Sequence, residues 1–95
     1  MFEYSVYEKC TTTKLATCKF YDPMMTDISA HMITDIQIGH EVHFKYKNNI
    51  VVVRPSLAKS DVYIISDSGE STCITEGNEN TSEEAVFCAL TYTEW

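Results

Sequence analysis

Beyond residue 60 the chain has no lysine and no arginine, although it runs on to residue 95. Other things are scarce as well. Glycine occurs three times, at 39, 69 and 77, too few and too scattered for a phosphate-cradling glycine loop. No stretch approaches the roughly 20 apolar residues needed to cross a bilayer. The opening MFEYSVYEKC carries acids where a secretory signal has a basic and then an apolar run, so a protein of the reducing cytoplasm is expected. In that compartment the sequon Asn80-Thr81-Ser82 is a chance match. No two of Cys10, Cys18, Cys73 and Cys88 have the C-x-x-C spacing of a dithiol redox centre or a zinc knuckle. The four are expected to be unpaired, small buried hydrophobes. Internal repeats, low-complexity tracts and linkers are also missing, which leaves one globular domain over residues 1–95.

What is abundant is negative charge, and it is unevenly placed. The net charge of −7 comes from 14 acids against 7 bases. Residues 1–60 hold six of the acids and every base, a balance of +1, whereas residues 61–95 hold the other eight acids and stand at −8. Clustered Lys and Arg drive phosphate-backbone binding by releasing counterions, so a chain of this balance is expected to avoid direct contact with nucleic acid and with anionic membranes. The same field attracts and steers basic partners.

The apolar pattern predicts an α+β domain, an antiparallel sheet of four to six strands with one or two helices. In FEYSVYEKC, Phe2, Tyr4 and Val6 alternate with polar neighbours, the period of a half-buried strand, and LATCKFYD returns as its hairpin partner. Asp22-Pro23 has the chemistry of a helix start, and Ile28, Met32 and Ile36 follow at helical steps before Gly39. That predicts a helix over about 23–34, although Ile36-Gln37-Ile38 also alternates like a strand. HEVHFKYKNNIVVVRP places Val42, Phe44 and Tyr46 opposite His43, Lys45 and Lys47, with the turn expected at Asn48-Asn49, because Asn tolerates positive φ. The unbroken run Ile50 to Val53 reads as a strand buried on both faces and ended by Pro55. Val62 to Ile65 and Ser71 to Thr75 form a further hairpin around Asp67-Ser68-Gly69-Glu70. The last segment reads two ways: Thr81 and Glu84 make a capping box, whereas VFCALTYTEW is rich in residues that favour strands.

Chemistry is sparsely signalled. HEVH at 40–43 has its histidines three apart in a predicted strand, not four apart on a helix as in H-E-x-x-H zinc hydrolases. A strand sends residues 40 and 43 to opposite faces, so solvated strand histidines are expected, with a metal site the lesser alternative. No Ser, Cys or His set has a local nucleophile signature. The chain is read as a non-enzyme with no cofactor.

The segregated acids are therefore the feature to explain. Dispersed acids would serve solubility equally well, and segregation points to an electronegative face for a basic protein, with Asp61, Asp67, Glu70, Glu76, Glu79, Glu83 and Glu84 as its contacts. Carboxylates spaced along a hairpin can stand in for phosphates. In size and charge the chain resembles the small acidic proteins by which phages block restriction nucleases, CRISPR effectors or repair enzymes, a likeness of composition. It implies an inhibitor or adaptor that binds a basic, nucleic-acid-binding partner. The alternative is a small structural or dimeric domain whose acidity serves only solubility, associating through an edge strand or through aromatic residues such as Tyr7 and Trp95.

Overall fold

A computed structural model of the chain describes residues 2–21, 24–56, 59–75 and 81–92. These form strands β1 (Phe2–Glu8) and β2 (Lys14–Phe20), helix α1 (Met25–Gln37), strands β3 (His40–Tyr46), β4 (Asn49–Pro55), β5 (Ser60–Ile65) and β6 (Ser71–Cys73), and helix α2 (Ser82–Tyr92). The strands make one antiparallel sheet in the order β2-β1-β3-β4-β5-β6. Both helices pack on the same side of it, α1 on β3 and β4, α2 on β4 and β5. The result is a two-layer α+β domain in which, among the described residues, one sheet face is covered by helices and the other is not.

The strand period decides which residues enter the core. Phe2, Tyr4 and Val6 of β1, Val42 and Phe44 of β3, Val51 and Val53 of β4, and Val62 and Ile64 of β5 all point to the helix side and are buried there. Ile28, Met32 and Ile36 meet them from α1, each fully buried and each contributing about 1.5–3 kcal/mol of transfer free energy. This stripe holds α1, because Met24, at its N-terminus, supplies no side-chain cap. The expected Asp22-Pro23 start lies outside the described residues. The helix runs on to Gln37, beyond the expected 34, because Ile36 completes the buried stripe. Gly39 then turns the chain at φ +95°, with its N–H donating to the Ile36 carbonyl at 3.0 Å. Tyr4 fastens β1 to the same helix by donating its hydroxyl to Asp35 Oδ2 at 2.7 Å.

The β3–β4 turn corrects the expected register. The two turn residues are Lys47 and Asn48, with Tyr46 paired to Asn49, and the positive φ of 56° falls on Lys47. A left-handed lysine costs about 1–2 kcal/mol. In return Glu41 stands across from Arg54, a pairing that a turn at Asn48-Asn49 would remove. A buried carboxylate deprived of its cation is the costlier outcome.

The double-faced burial expected of Ile50 to Val53 holds for Val51, Val52 and Val53, which are fully buried, but not for Ile50, which is exposed at the start of β4 beside the turn. The β5–β6 hairpin turns at Ser66 to Glu70, with Gly69 at φ +89°, although β6 ends at Cys73. The ambiguous last segment is a helix. Its capping box closes in both directions, the Glu84 N–H donating to Thr81 Oγ1 at 3.2 Å and the Thr81 N–H to Glu84 Oε1 at 3.1 Å. Ala85, Val86, Ala89 and Leu90 give α2 an apolar stripe to bury. Cap and stripe together override β-propensity. Buried cysteines are not found: Cys10 is exposed, and Cys18, Cys73 and Cys88 are half-buried, all with free thiols. Cys10 occupies the β1–β2 turn at φ +59°, a surface position where its backbone N–H rather than its thiol is used.

Candidate functional site

The seven acids expected to form one face are distributed among different jobs. Asp61, on β5, accepts a hydrogen bond from Thr75 Oγ1 at 3.3 Å and lies 3.8 Å from Lys59 Nζ, so it serves the fold. Asp67 and Glu70 are exposed in the β5–β6 turn, where Glu70 lines a hollow together with Tyr92 at the C-terminal end of α2. Glu83 and Glu84 are exposed in the first turn of α2, where carboxylates complement the helix dipole. An 11-residue helix, about 16 Å long, separates these two pairs. Glu76 and Glu79 lie outside the described residues.

The α2 pair sits beside an apolar feature that the charge pattern did not announce. Phe87 is 71% exposed, one helical turn on from Glu83 and Glu84. With Leu90 of α2 and Ser29 and Ile33 of α1 it lines a groove of about 380 Å³ between the helices, and both glutamates stand on its walls. An exposed phenylalanine in an acid-rimmed cleft can anchor an apolar side chain while the carboxylates meet cations. The β-propensity of VFCALTY concealed it. Once the capping box is allowed to set the helix, Ala85, Val86, Ala89 and Leu90 fill the inward stripe and Phe87 must face outward.

On the other side of the sheet the central residue is Glu41, 1% exposed although neither α1 nor α2 covers it. Its Oε1 accepts hydrogen bonds from Arg54 Nε at 2.5 Å and from the Cys10 backbone N–H at 2.8 Å, and its Oε2 lies 2.7 Å from His43 Nε2. Burial alone would raise the Glu41 carboxyl. The hydrogen bonds from His43, the Cys10 N–H and Arg54 outweigh it and hold the carboxyl below its ordinary value. The same contact raises the Arg54 guanidinium against the effect of its own burial. Rings extend the cluster sideways: Tyr7 packs on His43 with centroids 4.2 Å apart, and the Arg54 guanidinium lies 4.9 Å from the Tyr63 ring centre.

His43 is therefore a bonded member of a buried network and not a solvated strand histidine. His31 belongs to the other layer, its ring 5.3 Å from that of Phe20. Among the described residues no group of three or more His, Cys, Asp or Glu side chains is placed to hold a metal ion. Nor, among them, is any helix long and apolar enough to cross a membrane. No protein-family model, no curated protein and no solved structure matches the chain.

Proposed function

We propose that this domain is a non-enzymatic binding protein, an inhibitor or adaptor, whose α1/α2 groove holds a basic, amphipathic segment of a partner protein. The observation that carries the reading is Phe87, largely exposed in a cleft rimmed by Glu83 and Glu84 and far in sequence from any base. A partner helix with apolar residues on one face and Lys or Arg beside them satisfies both features at once. Such segments belong to basic proteins, nucleic-acid-binding enzymes among them, and four free thiols suit work in a reducing cytoplasm. The contact set is narrower than the charge pattern suggested: Glu83 and Glu84 serve as the charged rim, with Asp67 and Glu70 adding a long-range field.

The test uses a synthetic leucine/lysine amphipathic peptide, its leucine/glutamate counterpart, and calorimetry. The lysine peptide binds the wild-type chain and the glutamate peptide does not. Phe87→Ser abolishes binding while leaving the thermal midpoint unchanged, because an exposed ring contributes little to folding. Glu83→Gln weakens binding several-fold and flattens its salt dependence. Undiminished binding by Phe87→Ser would overturn the reading.

A further inference from the structure

The uncovered sheet face has a charge balance of its own. Strand alternation and register send Lys14 and Lys19 of β2, Lys45 of β3 and Arg54 of β4 to this side, against Glu3, Glu41 and Asp61. Two of those acids are already engaged, Glu41 by Arg54 and His43, Asp61 by Thr75 and Lys59. With Arg54 taken up by Glu41 in turn, Lys14, Lys19 and Lys45 are the bases of the one surface that the acid-rimmed groove does not share, against Glu3. Between β1 and β3 this surface sinks into a depression of about 530 Å³. The closely packed rings of Tyr7 and His43, tilted 35° to each other, form part of its lining, Lys14 and Lys45 stand beside them, and Glu3 is the one carboxylate among its described lining residues.

From this arrangement we propose that the uncovered face binds single-stranded nucleic acid. An unpaired base packs against the Tyr7–His43 pair, and its neighbouring phosphates meet Lys14 and Lys45. Rings read the π-face common to all bases and lysines read phosphate, so the expected recognition is sequence-tolerant. A strand fits better than a lone nucleotide because a second flat group lies on the same face: the Arg54 guanidinium, held by Glu41 and lying over the Tyr63 ring, offers a plane on which a further base can stack. Tyr7 in β1 and Tyr63 in β5 are three strand spacings apart, about 14 Å, room for successive bases. A duplex hides those π-faces.

The net charge of −7 counts against such binding only where its field reaches. At about 0.01 M salt the screening length is about 30 Å, comparable to the 27 Å least extent of the molecule, and the ligand senses every acid. At about 0.15 M it is about 8 Å, and the ligand senses chiefly the face it touches. Affinity should therefore rise and then fall as salt increases, whereas a uniformly basic binder weakens throughout.

The experiment is fluorescence anisotropy of a labelled mixed-sequence 12-mer, as single-stranded RNA and as single-stranded DNA, with a 12-base-pair duplex and AMP as competitors. The expected dissociation constant lies between about 10⁻⁴ and 10⁻⁶ M, tightest near physiological salt. Lys14→Gln with Lys45→Gln weakens binding about tenfold or more. Tyr7→Ala weakens it at least about fivefold, as loss of one stacked base does. Tyr7→Leu, which keeps the bulk that packs on the sheet, shows the same loss, separating lost stacking from a disturbed fold. Phe87→Ser leaves strand binding intact, so failure of the groove reading and failure of this one are distinguishable. Absence of binding at every salt, undiminished binding by the double lysine variant, equal affinity for duplex, or AMP competing as well per site as the 12-mer would each overturn the proposal.

Discussion

On its helix side the sheet is sealed by aliphatic and aromatic residues of four strands against the Ile28, Met32 and Ile36 stripe and the Ala85 to Leu90 stripe, a closure that asks only for volume and apolarity. On the other side Val52 and Glu41 are as deeply buried, yet among the described residues no second layer covers them. Val52 is flanked across the strands by His43 and Tyr63, and Glu41 by the donors that surround it. The first closure tolerates substitution by anything similar in size, whereas the second depends on each partner being present. The difference also sorts charge: the helix layer carries Glu83 and Glu84 on its outer surface, and the opposite face carries lysines and rings.

The largest expected effect breaks both closures in parallel. Met32→Ala removes a fully buried side chain from the helix side and should cost about 2–5 kcal/mol. Glu41→Ala leaves Arg54, His43 and the Cys10 N–H without their acceptor. Its cost should be about 2–4 kcal/mol, below a fully buried pair because Arg54 is 35% exposed and keeps some of its water. Each is a fall of roughly 10 °C or more in thermal midpoint for a domain of this size. If the two sides of the sheet are separate closures, the double variant should lose the sum of the two within about 0.5 kcal/mol, as read by denaturant unfolding. A clearly smaller loss would show that they are one cooperative unit.

Acid offers a finer separation. The Glu41 carboxyl is held below its ordinary value of 4.5 in the folded chain, so its stabilisation is complete above the unfolded value and is lost as pH falls through the folded one. The stability difference between wild type and Glu41→Gln should therefore be constant near neutrality and shrink below about pH 4.5, while the cost of Met32→Ala stays flat with pH. Thermal midpoints across that range test it, and an acid-independent gap would rule out the carboxylate as the binding element of the network. The smallest effect concerns the helix layer alone. Thr81→Ala opens the capping box at a cost of about 1 kcal/mol, and hydrogen exchange should quicken in the first turn of α2 without change in β3 or β4.

How much of this was legible in the sequence depends on which side of the sheet is asked about. Helix-side residues declare themselves by period, as Phe2, Tyr4 and Val6 or Ile28, Met32 and Ile36 do. The opposite network needs register, and there the alternation is silent. Moving the β3–β4 turn by one residue shifts every pair by two positions, so Val42, Phe44, Val51 and Val53 keep facing inward while Arg54 moves from Glu41 to His43. The pattern of apolar residues fits both registers equally. Only the charge complementarity of Glu41 and Arg54 separates them, and weighing it against the preference of Asn for positive φ would have found the cluster. The acids expected to form one face posed the opposite problem: composition located them in the chain, but not the helix that parts Glu83 and Glu84 from Asp67 and Glu70, nor the internal hydrogen bond that retains Asp61.

The strand order has a kinetic consequence. β3, β4, β5 and β6 are sequential neighbours joined by short turns, so this meander can pair as soon as it is synthesised. β1, although first in the chain, belongs in the interior of the sheet, and its nearest contact with β3 joins Glu8 to His40 across the whole of β2 and α1. Joining the β1–β2 hairpin to the edge of β3 therefore closes a loop of roughly 30 residues, an entropic cost that the turns of the meander do not carry. Without the hairpin, the backbone of β3 would be an open template for strands of other chains, with Glu41, short of the Cys10 N–H, as a charge on that edge.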